Sequence, residues 1–257
     1  MSKEKISPNS IACCDVLDGL SLIKENSVHL VVTSPPYNVN LKYDNYLDNL
    51  DHQEYLNWMN KVWEGCLRVL VLGGRICINV DATTNSSPKG NDELVHPLHV
   101  DFTNQLRNLG YIYRGEVVWR KQNSPGSPTA WGSYLLPSNP RFKRNTEYII
   151  FASKGTSKLE GDSRMCDLTK DEFHKWTLTD WDMFPETNKN HPAPFPKELA
   201  KRCIKLFSYV GNTVLDVFNG SGTTTYMAYY HGRQYIGIDN SEKYCSIAEK
   251  SLRAIKA

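Results

Sequence analysis

Residues 212–241 read NTVLDVFNGSGTTTYMAYYHGRQYIGIDNS. The apolar run Val214 to Val217 has the length of a buried strand, with Asp216 near its end and Phe218 just beyond it. Gly220 and Gly222 then permit a tight turn into a helix that opens near Thr223 and reaches His231. A second apolar run, Gln234 to Ile238, ends on acidic Asp239. Strand, glycine turn, helix, strand and terminal acid in this order predict the first half of a Rossmann-type, doubly wound α/β sheet. Its glycines let a ligand approach the backbone, and Asp239 is placed for ribose hydroxyls. The longer glycine fingerprint of dinucleotide sites is absent, so the pattern favours a nucleoside without a pyrophosphate.

Outward from this unit, apolar β-branched runs recur at Ile11 to Cys14, Val28 to Val32, Arg75 to Val80, Glu116 to Trp119 and Tyr148 to Ala152. Helical periodicity occupies Gln53 to Leu70, Asn91 to Leu109, Lys197 to Ser208 and Ser241 to Ile255. The alternation extends the α/β prediction to one mostly parallel sheet over residues 1–257. Gly73-Gly74 is expected to close one helix and Gly110 another. Two stretches break the pattern. Residues 121–145, rich in Pro, Ser and Asn, separate two strands, and the polar segment 155–190 has no clear period and reads as an inserted loop region.

Composition sets bounds. The 257 residues are 40% hydrophobic and 23% charged, an ordinary globular balance. The N-terminal sequence has no signal-peptide core and no apolar stretch is long enough to span a bilayer, so a cytoplasmic protein without a membrane partner is expected. Seven cysteines without a Cys-x-x-Cys pair suggest neither a disulfide framework nor a zinc knuckle. His96 and His99 have i, i+3 spacing but no third ligand near them, and no metal is expected. A net charge of +2 does not by itself identify a nucleic-acid binder. Basic residues do cluster locally, at Arg114, Arg120 and Lys121, at Arg141, Lys143 and Arg144, and at Lys197, Lys201, Arg202 and Lys205. Each cluster alone also fits a solvated face.

A second stretch, HLVVTSPPYNVNLKY at residues 29–43, ends a buried run with Ser34, Pro35, Pro36 and Tyr37. Neither proline can donate a backbone hydrogen bond, so the pair stops the strand and stiffens the turn after it. Thr33 to Tyr37 resembles the catalytic motif of the DNA amino-methyltransferases, the cytosine-N4 and adenine-N6 family. Phe218 to Thr224 is similar to that family's cofactor loop. Residues 191–216 look like the segment preceding the loop, and CCDVLDGLSLI at 13–23 resembles the stretch whose acid approaches the cofactor's adenine. With the catalytic motif first and the cofactor loop last, the order matches the family's circularly permuted beta-type class, and Ile11 to Cys14 should lie beside the C-terminal strands. The resemblance covers nearly everything except about 155–190, where a target-recognition region is expected.

The resemblance implies S-adenosyl-L-methionine as cofactor, held by Asp15, Pro194, Phe195, Asp216, Phe218, Asn219, Gly220, Ser221, Gly222, Thr223, Thr224 and Asp239. It implies double-stranded DNA as partner, with Ser34 and the Pro35 carbonyl accepting the target amine's protons, Pro36 stiffening the motif and Tyr37 stacking on a flipped base. Arg120, Lys121, Arg141, Lys143, Arg144 and Lys175 are the expected DNA contacts. Trp131, Arg164, Lys175, Trp176 and Trp181 are candidates for base recognition, local packing being the alternative for the tryptophans. Ser34 favours cytosine-N4 over adenine-N6, and the permuted order favours DNA over RNA or protein amides. A restriction-modification setting, with a cognate restriction endonuclease acting separately, fits such an enzyme. A DNA-binding subunit without turnover is the reading from another class, and monomer and homodimer both remain compatible.

Overall fold

The computed structural model describes residues 5–39, 41, 44–45, 48–86, 94–122, 135–138, 145–186 and 196–256. In chain order these form β1 (Ser10–Cys13), α1 (Val16–Leu22), β2 (Val28–Thr33), α2 (His52–Val69), β3 (Leu70–Asp81), β4 (Thr84–Ser86), β5 (Leu94–His96), α3 (Leu98–Asn108) and β6 (Tyr111–Lys121). There follow β7 (Thr146–Lys154), α4 (Lys170–Trp176), β8 (Asp180–Met183), α5 (Lys197–Phe207), β9 (Thr213–Asp216), α6 (Thr223–Tyr230), β10 (Gln234–Asp239) and α7 (Glu242–Lys256). Among the described residues the main sheet has eight strands in the order β1-β10-β9-β2-β3-β7-β6-β8, and β4 and β5 form a separate hairpin. From β1 through β3 all pairings are parallel; β7 runs antiparallel between β3 and β6, and β8 returns parallel to β6.

The sequence explains this layering. In β2 every residue but His29 is buried, the continuous apolar run of a strand covered on both faces. Val31 packs with Leu20, Met59 and Trp63 on the side of α1, α2 and α3, whereas Leu30 and Val32 pack with Leu199, Cys203 and Ala228 on the side of α5 and α6. Helix α2 buries Tyr55, Met59, Val62, Trp63, Cys66 and Val69 at three- and four-residue spacing, and Asp51 caps its start through the N–H groups of Gln53 and Glu54. Strand β1, first in sequence, pairs with β10 from Ser10 against Ile236 to Cys13 against Asp239. The permuted connection expected from the motif order is therefore present.

Four local readings change. Gly73 and Gly74 do not close α2, which ends at Val69; they lie within β3. The chain of Lys158 packs so closely there that a Cβ on Gly73 would sit 1.9 Å from its carbonyl oxygen. Gly110 does follow α3 in the left-handed region, at φ +90°. Helix α3 opens at Leu98 after Pro97 rather than near Asn91, and His96 consequently belongs to β5, outside any helical spacing with His99. The segment read as loop contains α4, with a Thr169–Glu172 capping box, and β8. Trp176 and Trp181 are buried core residues, and the Trp181 indole donates to the Trp176 carbonyl at 3.1 Å. For these two, packing rather than base recognition accounts for the side chain. No helix among the described residues is long and apolar enough to cross a membrane.

Candidate active site

The strand order reverses between β9 and β2, since α6 leads from β9 toward one edge of the sheet and α2 leads from β2 toward the other. Such a switch point opens a crevice at the carboxyl ends of the strands. Because β7 runs antiparallel, its first residues arrive at the same edge as the last residues of β2, β3, β6 and β8. A cavity of about 520 Å³ lies there, within the usual size of ligand sites.

One end of the cavity sets carboxylates beside aromatic rings. Asp15, Phe218, Gly220, Asp239, Ser241 and Tyr244 line it. Asp239 terminates β10, and its carboxylate accepts the backbone N–H groups of Gly220 at 2.7 Å and Ser241 at 2.9 Å. Burial raises its pKa, those two N–H groups oppose the rise, and nearby Asp44 adds to it. Asp15 is the N-cap of α1, accepting from Leu17 N at 2.8 Å, and its fixed carboxylate borders the cavity. Gly220, at φ +48°, is the glycine that faces the ligand space. Gly222 has another role. At φ +88° it caps α6, and a Cβ there would lie 2.7 Å from that of Ala248 in α7, so its small size serves helix packing.

Asp216 stands behind this wall, 1% exposed. Its Oδ1 accepts the Thr33 hydroxyl at 2.7 Å and Phe218 N at 3.1 Å, joining the end of β2 to the glycine loop. Burial pushes its pKa up to about 6; bonds from Thr33, Thr224 and Phe218 restrain the rise, and Asp239 adds to it. Asn219 and Thr224 are likewise buried, while Ser221 and Thr223 are partly exposed; none of these four lines the cavity. Pro194 and Phe195 lie outside the described residues.

The other end is formed by Ser34, Pro35, Pro36 and Tyr37, which continue directly from β2. The buried Tyr55 of α2 donates its hydroxyl to the Pro36 carbonyl at 2.5 Å, fixing the proline pair from below. The Tyr37 hydroxyl meets Ser34 Oγ at 3.0 Å, Asn79 Nδ2 at 2.9 Å and Glu147 Oε2 at 3.1 Å. Asn79 Nδ2 also donates to Glu147 at 2.6 Å, and Lys121 closes a salt bridge on the other oxygen of Glu147. Burial, with the Glu147 charge second, holds the Tyr37 phenol well above its ordinary pKa, so it remains an O–H group. Asn79 Oδ1 is buried with no hydrogen-bond partner among the described residues, leaving an unused acceptor at the cavity wall. Trp58 meets Phe218 edge-on at 5.7 Å, linking the two ends of the cavity with aromatic surface.

Sequence reading missed Asn79, Glu147 and Trp58. The first two had a usable signal, each being a polar side chain within or beside a run of buried apolar strand residues. The segment after Tyr37 was also unassigned. Buried Asp48 accepts the N–H groups of Asn38 and Val39, and Asp44 accepts the Ser241 hydroxyl at 2.7 Å, so this segment reaches from the proline motif to the Asp239 end.

The expected DNA contacts separate. Lys175 is exposed on α4, away from the cavity. Arg120 is half exposed but pairs with Asp180 at 2.8 Å and Asp182 at 2.9 Å across the β6–β8 edge. Lys121 is held in the cavity wall by Glu147. Of the α5 cluster, Lys201 and Lys205 pair with Glu172, Arg202 pairs with Glu198, and all three lie over Trp176. Arg141, Lys143, Arg144 and Trp131 lie outside the described residues.

Comparison with known proteins agrees with this architecture. Residues 28–250 match the model of a DNA methylase family of the N6/N4 type. The type II methyltransferase M.MjaI of Methanocaldococcus jannaschii is 30% identical over 90% of this chain and 86% of its own. The DNA adenine methyltransferase YhdJ of Escherichia coli K12 is 27% identical over 93% of this chain and 80% of its own. Among solved structures, a candidate DNA modification methylase of Thermus thermophilus in complex with S-adenosyl-L-methionine superposes with a TM-score of 0.77, at 32% identity, covering 95% of this chain and 93% of that one.

Proposed function

Because the chain belongs to the N6/N4 DNA methylase family, we propose that it transfers a methyl group from S-adenosyl-L-methionine to the N4 amine of a cytosine flipped out of double-stranded DNA. The observation that carries this reading is a single cavity joining the Ser34–Tyr37 motif to the Gly220 and Asp239 wall. The second wall fits the cofactor. Asp239 offers acceptors to the ribose, Asp15 borders the adenine side, and carboxylates beside aromatic rings suit a cation. Pro194 and Phe195 complete the methionine side in this reading, with Asp216, Asn219, Ser221, Gly222, Thr223 and Thr224 shaping the loop behind it. Bound there, the cofactor supplies an electrophilic methyl group.

The chain's own residues supply position and acceptors. An exocyclic amine is a weak nucleophile because its lone pair is delocalised into the ring. Ser34 Oγ and the Pro35 carbonyl accept its two protons, which favours a tetrahedral nitrogen and frees the lone pair. Proximity and orientation then account for much of the rate gain. Two prolines anchored by Tyr55 hold that carbonyl still, and the Tyr37 ring stacks on the base.

Lys175, Arg141, Lys143 and Arg144 are the better phosphate contacts, since Arg120 and Lys121 already have carboxylate partners. Residues 124–144 and 155–190 are proposed to read the target sequence. The type II methyltransferase relatives support a modification role beside a separately acting endonuclease. Ser34 supports cytosine, and the adenine enzyme YhdJ supports N6-adenine as the second reading. Treated plasmid DNA, hydrolysed to nucleosides and separated by mass, should contain N4-methylcytosine. N6-methyladenine in its place would decide for adenine, and the absence of both products would refute amine methylation.

A further inference from the structure

Methyl transfer to a neutral amine leaves a cationic nitrogen that must lose a proton, and the Ser34 end of the cavity contains a directed chain of hydroxyls. Tyr37 Oη has one hydrogen and two lone pairs. Asn79 Nδ2 donates into one pair at 2.9 Å, and Ser34 Oγ, 3.0 Å away, can donate into the other. The Tyr37 hydrogen then has its nearest acceptor in Glu147 Oε2 at 3.1 Å, ahead of the Asn79 carbonyl at 3.4 Å. With both hydroxyls pointing toward the carboxylate, Ser34 Oγ keeps a lone pair for the target amine, its other pair facing Asn79 Nδ2 at the long distance of 3.5 Å. Glu147 is held by Asn79 and Lys121, and the Lys121 side chain is 21% exposed, so the far end of the chain borders solvent.

We infer that Ser34, Tyr37 and Glu147 form a proton relay that carries the amine proton from the base to the Glu147 carboxylate during methyl transfer. This deepens the amine-methylation reading and rests on it. The amine lone pair forms the new C–N bond as the methyl–sulfur bond breaks, its electron pair remaining on sulfur. One N–H bond breaks, and its pair returns to nitrogen. That proton joins Ser34 Oγ as Ser34's own passes to Tyr37 Oη and Tyr37's to Glu147 Oε2. The net change is one C–N bond and one neutral carboxyl group, which releases its proton to water beside Lys121. In this scheme the tyrosine of the motif has two separable roles: its ring stacks, and its hydroxyl conducts. Glu147 is a positioning residue acting through Tyr37.

Tyr37→Phe separates them, since it keeps the ring and removes the hydroxyl. Single-turnover transfer of labelled methyl from the cofactor is measured in water and in deuterium oxide mixtures, with a fluorescent base analogue reporting flipping. The parent should show a solvent isotope effect with a curved dependence on deuterium fraction, the mark of several protons in motion. Tyr37→Phe should flip the base as the parent does and transfer methyl at least about tenfold more slowly, with the curvature lost. Glu147→Gln, which preserves shape and removes the terminal acceptor, should change rate and isotope effect in the same way. A parental rate in Tyr37→Phe overturns the relay, as does slow transfer with an unchanged isotope effect. Absence of transfer by the parent would overturn the methylation reading itself.

Discussion

Replacing Asp216 with asparagine should stabilise the free protein, and by an amount that depends on pH. The carboxyl is 1% exposed, and burial raises its pKa from 3.8 to about 6. A raised carboxyl pKa means that the folded state binds the proton more tightly than the unfolded one. The charged form is therefore a cost to folding that is fully present above pH 6 and fades as pH falls toward the unfolded value. Two pKa units correspond to about 3 kcal/mol at pH 8, falling to about 1 kcal/mol near pH 4.5. Thr33 and Phe218 both donate to the same oxygen, Oδ1, which the asparagine carbonyl reproduces, while its amide can face Thr224. Little hydrogen bonding should be lost. Urea unfolding at pH 8, 6 and 4.5 should show Asp216→Asn more stable by about 2 to 3 kcal/mol at pH 8, with the advantage shrinking as pH falls. A variant less stable at pH 8, or one with a constant offset across the range, would refute the reasoning. The counterpart of this cost is functional: a buried anion behind the cavity attracts a cation, so the same substitution should weaken binding of S-adenosyl-L-methionine in calorimetry at pH 8.

Tyr55→Phe removes the donor that anchors the Pro36 carbonyl and should cost about 1 kcal/mol in urea unfolding while slowing methyl transfer. Gly222→Ala combines left-handed backbone with a Cβ 2.7 Å from Ala248 and should destabilise by about 1 to 3 kcal/mol, seen as a lower unfolding midpoint. Replacing Arg141, Lys143 and Arg144 together with glutamine should flatten the salt dependence of DNA affinity, by a slope change of about 2 to 3 in a log–log titration.

Much of this fold was legible because its central strands, β2 and β9 among them, are buried on both faces. Val28 to Val32 and Val214 to Val217 carry few polar residues, and glycines mark the turn that follows β9. The same criterion hid β8, where Asp180 and Asp182 face out between buried Trp181 and Met183 and the average composition looks like a loop. Helix α4 was obscured by its seven-residue length, although Thr169 and Glu172 carried a capping-box signal. Gly73 was misread because a glycine that accommodates a neighbouring chain has the same sequence signature as one that ends a helix. At the site, the motif residues were readable as continuous stretches. The contacts of Glu147 with Tyr37 and Asn79 were not, since they span separations of 110 and 68 residues and exist only once β2, β3 and β7 meet at one edge.

The most direct test of the central claim compares the parent protein with Ser34→Ala, measuring labelled methyl transfer to DNA in single turnover alongside calorimetry of S-adenosyl-L-methionine and DNA binding. Ser34 Oγ meets the Tyr37 hydroxyl at 3.0 Å at the cavity wall, so its removal takes away an acceptor while leaving both prolines and the stacking ring. The account predicts near-parental binding of both ligands and transfer slowed by about a hundredfold or more, the scale of a lost general acid–base group. Parental transfer by Ser34→Ala would contradict it and move the chemistry away from the proline motif.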